Sequence, residues 1–197
     1  MKRSVIAMVA ALALVACGRG EHATGNGPIV AFGDSLTAGY GADQGESYPE
    51  VMSKILGEPV INRGVSGNTT ADGLQRLDSD VLASNPRLVV VWLGANDELQ
   101  QLPVADAEKN LGEIVDRLKA RGVFVILVGV PDIPFRPSYN DRIRELARAK
   151  KCVYIDKPMA GILGDREMKS DEVHPNANGY ALIAERFAVV VKKYAGP

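Results

Sequence analysis

LVVVWL, residues 88–93, is the stretch that decides the fold. Six apolar residues in a row, three of them valine, favour an extended chain, and no polar residue alternates with them to face water. Such a strand has to be covered on both faces, which is the condition of a parallel sheet held between two layers of helices. Working outward, runs of the same character occur at 28–32, 59–62, 123–128 and 153–155. Between them, apolar residues recur at helical spacing. One stripe is Ala71, Leu74, Leu77 and Val81, and another is Ala107, Leu111, Ile114, Val115 and Leu118. Ile143, Leu146 and Ala147 form a shorter one, and Tyr180, Ile183, Ala184, Phe187, Val190 and Val191 the last. A further helix is expected over about 47–56. Five strands alternating with helices predict an α/β domain of three layers, α/β/α, with right-handed crossovers. In such a sheet, functional groups collect where the strands end at their carboxyl side.

The amino terminus reads differently. Lys2 and Arg3 precede an uninterrupted apolar run, 5–15, too short to span a bilayer and ending in small residues. That is the pattern of an export signal. Its end, LVAC at 14–17, resembles a bacterial lipobox, which implies cleavage before Cys17 and acylation of that cysteine. On this reading 1–16 is a signal peptide, 17–27 a lipidated flexible tether rich in glycine, and 28–197 one catalytic-sized domain. The expected location is that of an exported lipoprotein, anchored to a membrane and facing the periplasm or the cell surface. The other reading is an ordinary export signal in which Cys17 is incidental. With Cys17 lipidated, Cys152 is the one cysteine left, in an apolar strand and without a disulfide partner. The full chain carries 23 basic and 24 acidic side chains. No basic stripe suited to nucleic acid is visible along it.

Two histidines limit the chemistry: His22 in the tether and His174 in SDEVHPNANGY. A histidine-dependent reaction must therefore use His174. Asp171, three residues earlier, can fold back onto the ring, fix its tautomer and leave the other nitrogen as a proton acceptor. Glu172 is nearer in sequence, but adjacent side chains diverge. At the other end of the domain, VAFGDSLTAG (30–39) breaks from an apolar run into a glycine-rich turn carrying Ser35. A serine hydroxyl becomes a nucleophile only with a base beside it. Gly67 follows the second strand and can point an N–H outward; a plain strand-to-helix turn capped by the residues at 68–70 explains the same stretch. Asn96 follows the third strand and has an amide to donate, though an asparagine-aspartate turn is common at strand ends. The four pieces follow different strands, all on the predicted carboxyl edge. Together they supply a nucleophile, a base with its acid, and donors for an oxyanion.

At these residues the sequence resembles the SGNH, or GDSL, hydrolases over essentially the whole domain. GDSLTAG carries the serine block, GVSGNTT the glycine block, LGAND the asparagine block and DEVHPN the Asp-x-x-His block. The resemblance implies a flavodoxin-like, five-stranded parallel sheet of order 2-1-3-4-5, and ester or thioester hydrolysis without metal or other cofactor. It is nearest to the small periplasmic thioesterase/lysophospholipase and arylesterase group. It assigns Ser35 as nucleophile, His174 as base, Asp171 as orienting acid, and the Ser35 and Gly67 N–H groups with the Asn96 amide as the oxyanion hole. Asp34 and Asp97 are read as structural, holding their own turns.

The substrate walls are expected in two apolar loops: Leu99, Leu102 and Pro103 after the third strand, and Ile133, Pro134 and Phe135 after the fourth. Packing of these loops on each other explains them equally. The expected partner is a small-molecule or lipid ester, and a monomer is expected. Two alternatives use the same residues or none of them: a carbohydrate or peptidoglycan O-acetylesterase, and a surface lipoprotein that binds without hydrolysing. A histidine base predicts activity that falls below the imidazole range of about 6.5.

Overall fold

In the computed structural model, residues 14–15, 22–131 and 138–196 are described. Five parallel strands, β1 (Ile29–Gly33), β2 (Val60–Gly64), β3 (Leu88–Trp92), β4 (Phe124–Val128) and β5 (Val153–Ile155), form the sheet. Their spatial order is 2-1-3-4-5. Leu14–Val15 adds a two-residue antiparallel pairing along the free edge of β5. The helices are α1 (Ser35–Ala38), α2 (Tyr48–Leu56), α3 (Thr70–Arg76), α4 (Ala95–Leu99), α5 (Val104–Ala120), α6 (Ser138–Ala149) and α7 (Ala177–Tyr194). The short helices α1 and α4 have no stripe long enough to announce them in the sequence.

The central run behaves as its composition requires. Leu88, Val90 and Trp92 of β3 enter one core with Tyr48, Met52, Tyr180 and Phe187 from α2 and α7. Val89 and Val91 enter the other, with Leu111, Ile114 and Ile143 from α5 and α6. Each large side chain fully buried this way contributes roughly 1.5–3 kcal/mol. A surface ion pair such as Arg117–Asp78 is worth about 0–1 kcal/mol, so the two cores carry the stability. Trp92 sits between Tyr48 and Phe187, with ring centroids 5.6 and 5.4 Å away, and its indole N–H donates to the Gly129 carbonyl at 3.0 Å.

The stripe 71–81 departs from one regular helix. It is α-helical to Arg76 and then opens into a π-turn, Leu77–Val81, that buries Leu77 and Val81. Gly73 rather than Ala71 faces the core, because the Leu93 side chain occupies the space a Cβ at 73 would need. The glycine-rich segment before the domain is held to it from Ala23 onward: the Ala23 N–H donates to the Tyr194 carbonyl at 2.7 Å, and Arg87 donates to the Gly27 carbonyl at 2.7 Å.

Candidate active site

Register brings the site together. Gly33 lies level with Gly64 on one side and with Trp92 on the other, so three strands end flush. Two residues past Gly33 comes Ser35, three past Gly64 comes Gly67, and four past Trp92 comes Asn96. Ser35 is the first residue of α1, whose N-cap is Asp34; the Asp34 carboxylate accepts the Leu36 N–H at 3.0 Å. Asp34 therefore holds its turn as expected, and it is almost wholly buried. Burial pushes its carboxyl up to about 7, against the opposing pull of the Leu36 N–H and of Arg76.

His174 arrives from the loop after β5, 139 residues further along the chain. Its Nε2 lies 3.0 Å from the Ser35 hydroxyl, and its Nδ1 lies 2.8 Å from an Asp171 carboxylate oxygen. With the proton on Nδ1, the ring donates to Asp171 and accepts from Ser35. The other Asp171 oxygen accepts the N–H groups of Val173 and His174, both at 2.8 Å. Burial works to raise the Asp171 carboxyl, but these two N–H groups and the His174 ring outweigh it and hold it below its ordinary value. The loop is closed behind them by the Ser170 N–H on the His174 carbonyl at 2.9 Å. Glu172 turns away to Lys169, at 3.1 Å. Tyr40, which sequence reasoning passed over, lies beside the imidazole with ring centroids 4.5 Å apart.

Gly67 adopts φ of +81°, in the left-handed region that favours glycine, with open space where a side chain would stand. Among the described residues, neither its N–H nor that of Ser35 meets an acceptor. The Asn96 amide donates to the Asn68 carbonyl at 3.0 Å, which fixes its orientation at the same edge. Asp97 differs from its reading as a brace for its own turn. It reaches across to α3, accepting the Thr70 N–H at 2.8 Å and the Thr70 hydroxyl at 2.6 Å. Arg76 completes the frame. It donates to the Asn68 side chain at 2.6 Å, the Gly33 carbonyl at 2.8 Å and the Arg63 carbonyl at 3.0 Å, while lying over the Phe32 ring. No motif singled out Arg76; its acceptors come from three separate stretches of the chain.

A cavity of about 340 Å³ opens on Ser35, Gly67, Asn96 and His174. Its remaining walls are mostly apolar: Leu36, Tyr40, Leu99, Pro131, Leu163 and Val173. Leu99 stands where the sequence places it. Leu102 does not reach the cavity, because the chain turns at Gln101 (φ +56°) and the Leu102 N–H closes back on the Asp97 carbonyl at 2.9 Å. Pro103 caps the start of α5. Ile133, Pro134 and Phe135 lie outside the described residues. Cys152 is buried, and burial pushes its thiol up to about 11, so at neutral pH it is an unreactive core residue. His22 is at the opposite end of the sheet, 6.3 Å from the Tyr194 ring.

A serine with its proton aimed at an imidazole, a carboxylate behind the imidazole, and free N–H groups beside the serine can together perform acyl transfer. Comparison with known proteins points the same way. The GDSL-like lipase/acylhydrolase family matches residues 31–182. Esterase TesA of Pseudomonas aeruginosa is 30% identical over 161 residues, covering 75% of this chain and 79% of that protein. The arylesterase of Vibrio mimicus is 29% identical over 177 residues, 84% and 88% of the two chains. Among solved structures, the psychrotrophic esterase EstA from Pseudoalteromonas sp., inhibited by monoethylphosphonate, superposes with a TM-score of 0.79 at 26% identity. That superposition covers 86% of this chain and 98% of EstA.

Proposed function

This chain belongs to the GDSL-like lipase/acylhydrolase family and is an ester hydrolase, and we propose that Ser35 is the nucleophile of its acyl transfer. His174 is the base and Asp171 the acid that orients it. The observation that carries the reading is the hydrogen-bonded line from the Ser35 hydroxyl through the His174 ring to Asp171. As Ser35 Oγ bonds to the ester carbonyl carbon, its proton passes to His174 Nε2, and Asp171 stabilises the imidazolium. The carbonyl oxygen, now negative, is held by the Ser35 and Gly67 N–H groups and the Asn96 amide. Collapse of the adduct expels the alcohol or thiol, which takes the proton from His174. Water then repeats the sequence on the acyl-Ser35 ester and releases the acid.

The apolar walls around Ser35 favour acyl or aryl esters, thioesters or lysophospholipids over the short acetyl groups of a carbohydrate O-acetylesterase. The lipobox at 14–17 supports an exported protein acylated at Cys17, with 17–27 joining the anchor to the hydrolase domain at 28–197. Leu14 and Val15 would leave with the signal peptide on this reading.

The test is hydrolysis of p-nitrophenyl esters from acetate to palmitate, with wild type and Ser35→Ala. Loss of all turnover in Ser35→Ala, in a protein that melts normally, is the expected result. Retained turnover would remove Ser35 from the mechanism. An optimum at acetate would favour the O-acetylesterase. A phosphonate ester, of the chemical class that inhibits EstA, is expected to label Ser35 in the wild type.

A further inference from the structure

Basic side chains scattered along the sequence converge on one end of the molecule. Helices α5, α6 and α7 run against the strands they cover and end at the amino edge of the sheet, opposite the Ser35 cavity. Their ends carry Arg121, Arg148, Lys151, Lys192 and Lys193, all exposed. These helix ends meet around Phe124 and Tyr194, whose rings stack at 5.2 Å. Lys151 and His22 share a surface depression with Phe124, and the Lys193 ammonium lies 5.2 Å from the Tyr194 ring. None of the five cations has an ion-pair partner among the described residues. The carboxylates near that edge are engaged elsewhere, Asp116 by Lys150 and Glu58 by Arg87. Among the described residues the carboxyl edge leans the other way: Asp43, Asp165, Glu167, Asp171 and Glu172 are exposed there, against Arg63, Lys157, Arg166 and the half-buried Lys169.

Helix carboxyl ends favour cations through their dipoles, which accounts for a lysine or arginine in each last turn. It does not account for where the chain enters. Ala23 is bonded to the Tyr194 carbonyl, so the amino-terminal segment joins the domain in the middle of this basic end. Cys17 is five residues before His22, so its backbone is held within about 18 Å of His22 at the patch.

We infer that the basic amino edge is a docking surface for an anionic lipid headgroup layer. The anchored protein then stands on this end, with the Ser35 cavity opening away from the membrane toward water. The orientation rests on the anchor proposed above, whereas the charge contact does not need it. A lysine or arginine close to an anionic surface strengthens binding about five-fold, and the effect is screened by salt.

The experiment uses the full chain, expressed with its own leader and reconstituted in vesicles of phosphatidylcholine, alone or mixed with phosphatidylglycerol. Amide hydrogen exchange is followed at both edges. On the anionic vesicles at low salt, residues 119–124, 148–152 and 190–195 should exchange at least about five-fold more slowly than on neutral ones. Residues 40–46 and 163–174 should not change. High salt should abolish the difference, as should the variant Lys151→Glu/Lys192→Glu/Lys193→Glu, whose unchanged turnover of a soluble ester shows that it is folded. Equal exchange on the two vesicle types, or protection at the cavity edge, overturns the inference. The mass of the Cys17 peptide reads the anchor separately. If Cys17 is unmodified, the same exchange on anionic vesicles added from outside decides the charge contact, and protection that salt does not remove overturns it.

Discussion

Asn96 shows how much of this site depends on single atoms. Its amide is aimed by two acceptors, the Asn68 carbonyl at 3.0 Å and, at longer range, the Asp34 carboxylate at 3.5 Å, and Asn68 is itself held by Arg76. If the amide meets the oxyanion, Asn96→Ala should lower kcat by about 10²–10³ and leave KM almost unchanged, which steady-state kinetics on a single ester will check. Asp34 gives a different prediction, about stability. Its carboxyl is raised to about 7 in the fold from an ordinary 3.8. Between those values the folded state holds a proton that the unfolded state releases, so stability falls as pH rises through that window. Melting temperatures measured from pH 5 to pH 8 should decline in the wild type more than in Asp34→Asn, which keeps a carbonyl for the Leu36 N–H. The lowered carboxyl of Asp171 acts in the opposite direction and only at more acid pH. At this scale Ser35, Asp171 and His174 were legible in the sequence because each lies in a short motif with a chemical purpose. Arg76 and Tyr40 were not, because what matters about them is a neighbour distant along the chain.

Among the elements, α1 is the most constrained. It has four residues, begins at Ser35, and lies against the end of β2. A Cβ on Gly64 would stand 2.0 Å from the Ala38 nitrogen and 2.5 Å from the Thr37 carbonyl carbon, both backbone atoms that cannot swing aside. Gly64→Ala should therefore push α1, and Ser35 with it. Overpacking of this kind costs about 1–3 kcal/mol, or a fall in melting temperature of roughly 2–12 °C for a domain of this size. Turnover should drop even well below the melting transition, and calorimetry beside an ester assay separates the two effects. The five strands and five longer helices could be read from apolar runs and stripes because burial writes itself into composition. The π-turn at Leu77–Val81 and the helices α1 and α4 could not, since their geometry answers to packing at the strand ends rather than to any local period. Leu102 was misplaced for a related reason. An apolar residue next to a site says nothing of the turn, here at Gln101, that decides where it points.

At the scale of the whole molecule, the two edges of the sheet have separate properties: an acidic rim with an apolar cavity at one, basic helix ends and the chain entry at the other. A protein standing on its basic end should hydrolyse a water-soluble ester with the same kcat/KM in vesicles as in detergent micelles. Comparing the two preparations at equal active-site concentration checks this. The convergence of Arg121, Arg148, Lys151, Lys192 and Lys193 was not visible along the sequence, where they are separated by up to 72 positions, Arg121 to Lys193. Parallel topology is what gathers them, by ending every covering helix on the same side. Trp92, lastly, is the one tryptophan of the chain, enclosed by Tyr48 and Phe187 and bonded to Gly129. Its fluorescence thus comes from a single place, the joint where β3 stops four residues before Asn96. Blue-shifted emission will mark an intact joint, and excitation of Tyr48 will feed it by energy transfer. Nature has left an optical probe beneath the loops that carry Gly67 and Asn96, readable in a cuvette without attaching a dye.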